Sequence, residues 1–305
     1  MSVQSQRITQ LHETLKEKLL FHLDVPCILP TSIHNLHLVR REEAGTPEQC
    51  FERPLVGLVV QGTKHSFMAG RDYVYTERQC IVAAVDMPIS SYIINPTRER
   101  PFLFLYVYLD KGLLSSLAME MKDSLSGGDD ACSGISIAEA GEDIIDMFLR
   151  LVQLLEKPEQ IPLRAPMMMK ELHYLLLIST HGKLLRQLNT PGTQNNQIVQ
   201  AISWIRENYK TPLKVDALAR YVNMSVSNLH RRFKLLTGLS PLQYQKQLRL
   251  YEAQRLMLLE NERASAAALS VGYESVTQFT REYKRTFGEP PLRDMQRRRT
   301  CSGMS

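Results

Sequence analysis

The 305-residue chain has no apolar run near the roughly 20 residues that a membrane-spanning helix needs. Residues 1–23 lack the charged-then-apolar layout of a signal peptide and read at most as an amphipathic helix, so a cytoplasmic protein is expected. Its five cysteines (Cys27, Cys50, Cys80, Cys132 and Cys301) are odd in number and far apart, with no Cys-x-x-Cys pair. That pattern points to reduced thiols and excludes a structural zinc site of the usual spacing. No glycine-rich phosphate loop, Gly-x-Ser-x-Gly elbow or acidic pair at helical spacing offers an enzyme reading. Histidines do not fill the gap: His65 has Phe67 two positions on, and His34 and His37 lie in a stretch that does not read as helix. An enzyme is therefore not expected, nor a metal or a cofactor.

What the chain does contain is one pattern written twice, fifty residues apart. Ser225 to Pro241 and Ser275 to Pro291 share serine, valine, arginine, lysine, glycine and proline at equivalent positions. Such self-similarity marks a duplicated structural unit. Each copy opens on a serine suited to a helix N-cap and closes on a glycine (Gly238, Gly288) suited to the position past a helix end. Leu229 and Phe233 in one copy, and Phe279 and Tyr283 in the other, define an apolar stripe. The opposite side carries Ser227, His230, Arg231 and Lys234, then Thr277, Thr280, Arg281 and Lys284. Upstream of each lies a short helix, Val215 to Val222 and Arg263 to Val271, and a tight turn holding Asn223 or Gly272. Helix, tight turn and a second helix with a basic outer face is the helix-turn-helix pattern, and a helical stretch from Pro241 to Leu259 joins the two copies.

Charge follows the same division. From residue 195 onward there are 18 Lys and Arg against 9 Asp and Glu, a net of +9. Residues 1–194 hold 19 against 23, a net of −4. A basic C-terminal third is what phosphate neutralisation requires.

On Leu218-Ala219, Ser225 to Phe233, Gly238 to Pro241, Gln243-Tyr244, Arg249-Leu250, Ala268 to Ser275, Phe279, Arg281, Phe287-Gly288 and Pro290-Pro291, residues from about 195 to 296 resemble the DNA-binding domain of the AraC/XylS family of bacterial transcription regulators. The resemblance implies an all-α unit whose two recognition helices enter successive major-groove segments of double-stranded DNA. By that match, base contact falls on Ser227, His230, Arg231, Val276, Thr277, Thr280 and Arg281. Lys234, Lys284 and Arg232 read as phosphate-positioning or merely solvated, since most protein–DNA contacts go to the backbone. Val276 also fits a packing role and His230 a plain surface one.

Residues 55–109 read as short strands separated by Gly, Pro and Asp signals: Leu55 to Gln61, His65 to Ala69, Tyr73 to Thr76, Gln79 to Asp86, Ile89 to Asn95 and Phe102 to Leu109. Helical spacing follows over Gly112 to Ser124, Gly141 to Glu156 and one long helix from Ala165 to about Leu188. Val59 to Gly62, Tyr73 to Tyr75, Val85 to Pro88 and Glu171 to Leu176 resemble the N-terminal domain of one AraC-family branch, a cupin-like barrel followed by helices. The chain departs from that branch at Ile178 to Gly182. The expected fold is α+β: a cupin-like β-barrel with following helices over residues 1–188, a linker at 189–196, and an all-α double helix-turn-helix domain over 197–305.

The resemblance implies a regulator, an activator in preference to a repressor, that binds an unidentified small-molecule effector in its N-terminal domain. It also implies contact with RNA polymerase and a homodimer, for which the apolar Met167-to-Met169 and Leu175-to-Ile178 runs offer a helix–helix face as well as core. Two other readings stand beside it. One is a thiol- or aldehyde-responsive regulator acting through Cys80, or through Cys27 and Cys50 in loop-like sequence; the plainer role of these thiols is unreactive packing. The other is a metal-dependent cupin enzyme fused to a DNA-binding domain, which the histidine spacing argues against.

Overall fold

The computed structural model describes residues 3–45, 47–121 and 133–301. After helix α1 (Val3–His22), ten strands among the described residues form two antiparallel sheets. One sheet has the order β1 (Cys27–Pro30), β2 (Leu36–Arg41), β9 (Phe102–Tyr108), β4 (Leu55–Gln61), β7 (Gln79–Ala83) and β10 (Ile135–Glu139). The other runs β3 (Glu48–Glu52), β8 (Met87–Ile94), β5 (Thr63–Met68) and β6 (Arg71–Thr76). Because side chains alternate along a strand, β4 and β9 serve two layers at once. Val56, Leu58 and Val60, with Leu103, Leu105 and Val107, face a helical layer; Leu55, Phe102 and Phe104 face the space between the sheets.

The helical layer comprises α1, α2 (Lys111–Glu120), α3 (Glu142–Leu154) and α4 (Ile161–Ile178). Leu15 and Leu19 of α1 meet Ile145, Phe148 and Val152 of α3 in the same core as the sheet. The expected helix from Ala165 to Leu188 is in fact two, α4 and α5 (Gly182–Asn189). The break falls at Ser179, whose hydroxyl donates back to Leu176 O at 2.8 Å while its own backbone is extended. Such local bonding competes with the helical ladder.

Residues 190–193 lie between α5 and α6 (Gln194–Glu207), and the Thr193 side chain caps α6 by accepting from Asn196 N. The remaining helices are α7 (Val215–Tyr221), α8 (Val226–Thr237), α9 (Pro241–Leu259), α10 (Ala264–Ser270), α11 (Val276–Phe287) and α12 (Pro291–Cys301). The fold is thus α+β: an antiparallel β domain with its helices, then a helical domain containing two helix-turn-helix units.

The strands at 27–30, 36–41, 48–52 and 135–139 were not among those expected. Cys27 and Cys50 consequently sit in β1 and β3 and not in loops. Positions 122–124 of the expected α2 and Cys132 lie outside the described residues.

Candidate DNA-binding surface and effector cavity

The two units are built alike. Ser225 accepts from Asn228 N and Ser275 from Gln278 N, so each recognition helix begins on a satisfied cap. Gly238 (φ 76°) and Gly288 (φ 84°) end them in the left-handed conformation, and their N–H groups donate to Lys234 O and Lys284 O. Asn223 (φ 54°) and Gly272 (φ 92°) make the turns before them. Leu229 and Phe233, and Phe279 and Tyr283, are wholly buried, which fixes the face each helix turns outward. That face holds Ser227, Arg231 and Lys234 on α8 and Val276, Thr277, Arg281 and Lys284 on α11, all exposed; His230 and Thr280 are half-buried.

Two local contacts shape these surfaces. Asn228 accepts from Arg231 at 2.9 Å and donates to Gln194, steadying the guanidinium. The Thr280 hydroxyl donates to Val276 O at 2.9 Å. Arg232 is a correction: it is buried and donates to Asn195 Oδ1 of α6 at 3.2 Å, so it braces the unit from within.

Behind the surfaces, buried polar groups join the helices. Glu282 accepts from Tyr273, Lys246 and Gln278. Asp294 accepts from Tyr283 Oη at 2.7 Å and Gln254 Nε2 at 2.8 Å, and from Arg297 and Arg298. Burial opposes both carboxylate charges, yet these donors hold both groups below the usual carboxylate range.

Between the sheets lies a cavity of about 390 Å³. Val39, Met68, Ile81, Ile89, Phe102 and Phe104 give it an apolar body, and Ser66, Tyr75, Ser91, Tyr106 and Tyr108 supply hydroxyls. Lys64 reaches in, its Nζ 5.3 Å from the Phe104 ring centroid and in no ion pair among the described residues. Burial works against its charge, but the neighbours Tyr75, Cys50, Glu52 and Glu48 outweigh it and keep the ammonium above its ordinary value. Arg41 and Glu48, also in the lining, pair at 3.7 Å. Burial pushes the Cys80 thiol up to about 12, and burial beside Glu52 raises Cys50 further still. Neither is a ready nucleophile. His65 pairs with Asp72 at 3.1 Å and stacks on Tyr92. No group of three or more metal-ligating side chains occurs among the described residues, and none of their helices is long and apolar enough to cross a membrane.

The β domain docks on the first helix-turn-helix unit. Asp86, fully buried, receives Lys111 Nζ at 3.0 Å and the Arg206 guanidinium of α6, while Tyr244 of α9 donates to Asp86 O at 2.9 Å. Gly134 N donates to Leu236 O at 3.1 Å. Phe51, from the cavity lining, packs edge-on against Tyr244 (5.3 Å between centroids) and at a tilt against Tyr251 (5.7 Å). This seam was not expected from the sequence. Its one signal was Asp86, an acid set between Val85 and Met87.

Comparison with known proteins agrees with this architecture. Residues 32–184 match a family model described as the AraC-type transcriptional regulator N-terminus, and residues 218–297 match a helix-turn-helix domain. The regulator ArgR of Pseudomonas aeruginosa is 31% identical over 111 residues, 36% of this chain and 34% of its own. That match thus spans about a third of ArgR's length. The lactose operon transcription activator of Staphylococcus xylosus is 22% identical over 78% of this chain and 81% of its own. Among solved structures, an apo ToxT variant from Vibrio cholerae superposes with a TM-score of 0.58 at 10% identity, covering 87% of this chain and 98% of that one. ToxT bound to an unsaturated fatty acid gives 0.52 at 10% identity, covering 86% and 93%; both are likenesses of fold. The chain belongs to the AraC/XylS family of DNA-binding transcription regulators.

Proposed function

We propose that residues 197–305 read two successive major-groove segments of a promoter and that residues 1–188 set how well they do so. The observation that carries this is the pair of capped recognition helices, each turning a hydroxyl, an arginine and a lysine outward from a buried aromatic or aliphatic stripe. Arg231 and Arg281 read bases, Ser227, His230, Val276, Thr277 and Thr280 assist, and Lys234 and Lys284 hold phosphates. The protein acts in the cytoplasm, as an activator that touches RNA polymerase, and as a homodimer; these three points rest on family resemblance.

The effector occupies the cavity between the sheets. An apolar body with one unpaired cation, Lys64, in a lining that also holds the Arg41–Glu48 pair, Glu43 and Glu52, suits a small carboxylate on an aromatic or unsaturated frame. The fatty acid bound by ToxT supports that class. Phe51 lies between the cavity and α9, the helix shared by both units, so an occupant that displaces β3 biases their relative placement. The raised thiols Cys50 and Cys80 favour this reading over a thiol-responsive one.

In vitro transcription from a bound promoter, with a panel of such carboxylates, tests the reading. Transcript level should depend on the protein, and one ligand class should change that dependence in wild type but not in Lys64→Met. Transcription indifferent to the protein would sink the regulator; indifference to every carboxylate would sink the effector class alone.

A further inference from the structure

Two opposite charges face the cavity between the sheets, and neither has a counter-ion. Lys64 of β5 and Glu52 of β3 both line it, both are half-buried, and neither forms an ion pair among the described residues. Lys64 sits by Phe104, its Nζ 5.3 Å from the ring centroid. Glu52 accepts from the Cys50 thiol at 3.6 Å and has the Tyr108 hydroxyl beside it. The other charges of the lining are placed differently: Arg41 and Glu48 already hold each other, and Glu43 is exposed. Arg53 lies over the Tyr108 ring at 3.7 Å, outside the lining, and forms no ion pair with Glu52 among the described residues.

A charge taken out of water is costly unless it is paired. These two do not relieve each other, because a ladder of rings on β9 lies between them. Phe104, Tyr106 and Tyr108 project from one face of that strand, with successive ring centroids 5.8 and 5.3 Å apart. Lys64 stands at the Phe104 end of the ladder and Glu52 at the Tyr108 end. Four residues of strand set those ends about 13 Å apart. With a hydrogen bond of about 3 Å at each end, the gap suits a molecule whose own charges stand roughly 7 Å apart. The overall charge agrees. Glu43, Glu48 and Glu52 already outnumber Arg41 and Lys64 in the lining, so a bare carboxylate would deepen a negative balance. A molecule carrying both signs leaves that balance as it is.

We infer that the effector is a zwitterion whose carboxylate meets Lys64, whose flat apolar frame lies along Phe104 and Tyr106, and whose ammonium meets Glu52. This second contact rests on the reading of the cavity as the site of a carboxylate effector. Glu52 adjoins Phe51, which packs against Tyr244 and Tyr251, so the ammonium engages the strand that touches α9.

Calorimetric titration of the full chain with three probes tests this. 4-(Aminomethyl)benzoate carries both charges, 4-ethylbenzoate has nearly the same shape without the ammonium, and 4-methylbenzylamine lacks the carboxylate. The zwitterion should bind at least about tenfold more tightly than either of the others, the worth of one charge-assisted hydrogen bond. In Glu52→Gln, with an unchanged circular-dichroism spectrum, its advantage over 4-ethylbenzoate should vanish while 4-ethylbenzoate binds as before. Lys64→Met should weaken both benzoates. Wild type binding 4-ethylbenzoate as tightly as the zwitterion, or a preference that survives Glu52→Gln, would overturn the ammonium contact and leave the carboxylate reading standing. Benzoates that bind no better than the amine, or not at all, would bring down the carboxylate reading and the zwitterion with it.

Discussion

The duplicated glycines provide a controlled perturbation of the seam between the domains. Gly238 and Gly288 occupy the same place in their units and share the same left-handed backbone, so Gly→Ala costs about 1–2 kcal/mol of conformational strain at either. Their surroundings differ. A Cβ at Gly288 would meet nothing within 4 Å, whereas one at Gly238 would lie 2.6 Å from Ala69 Cα and 2.8 Å from Ala69 O, backbone atoms of the β domain. No rotamer change relieves that clash; the helical unit must move away by about an ångström. Movement on that scale breaks the Gly134–Leu236 and Tyr244–Asp86 hydrogen bonds, at roughly 1 kcal/mol each, and strips the buried Asp86 of Arg206. Gly238→Ala should therefore cost about 3–5 kcal/mol in urea unfolding of the full chain, against about 1–2 for Gly288→Ala. In a fragment starting near residue 190 the two should cost the same. Equal costs in the full chain would refute the docked arrangement.

Other predictions concern the recognition faces and the core. Arg231→Ala and Arg281→Ala should each relax base preference in a different half of the bound site, by roughly 1–3 kcal/mol per base, measured by competition binding. Lys234→Ala should weaken binding to all sequences alike and lower the salt slope by about one. His181 is fully buried, with Nδ1 2.8 Å from Ser136 Oγ, and burial pushes its imidazole down to about 4. The unfolded chain then binds the extra proton first, so stability is whole above pH 6.5 and falls as pH drops from there toward 4, by roughly 3 kcal/mol from this group. His181→Gln should flatten part of that loss in denaturant titrations, leaving the portion from His12, His22 and His173, which burial shifts the same way.

The DNA-binding half was readable because its signals are local. Ser225, Gly238 and their copies cap and stop helices through bonds within a few residues, and α9 spans the stretch expected, Pro241–Leu259. Strand β4 was equally plain, as six apolar residues and Gln61 buried on both faces. The strands β1, β2, β3 and β10 were not, for two reasons. They have four to six residues, and those near the cavity carry polar residues inward, as Glu48 and Cys50 do, which erases the usual alternation. Arg232 and Asp86 were misread or missed because their partners, Asn195 and Arg206, are far away in sequence. Only tertiary packing makes a buried guanidinium or carboxylate sensible, since burying a charge is costly unless it is paired.

The central claim is that two helices of one chain read two adjacent stretches of duplex. Selection of genomic fragments by the purified full-length protein, at about physiological salt, tests it most directly. A motif of two blocks about one helical turn, roughly 10 base pairs, apart is expected. Binding that falls steeply with salt and enriches no sequence would contradict it.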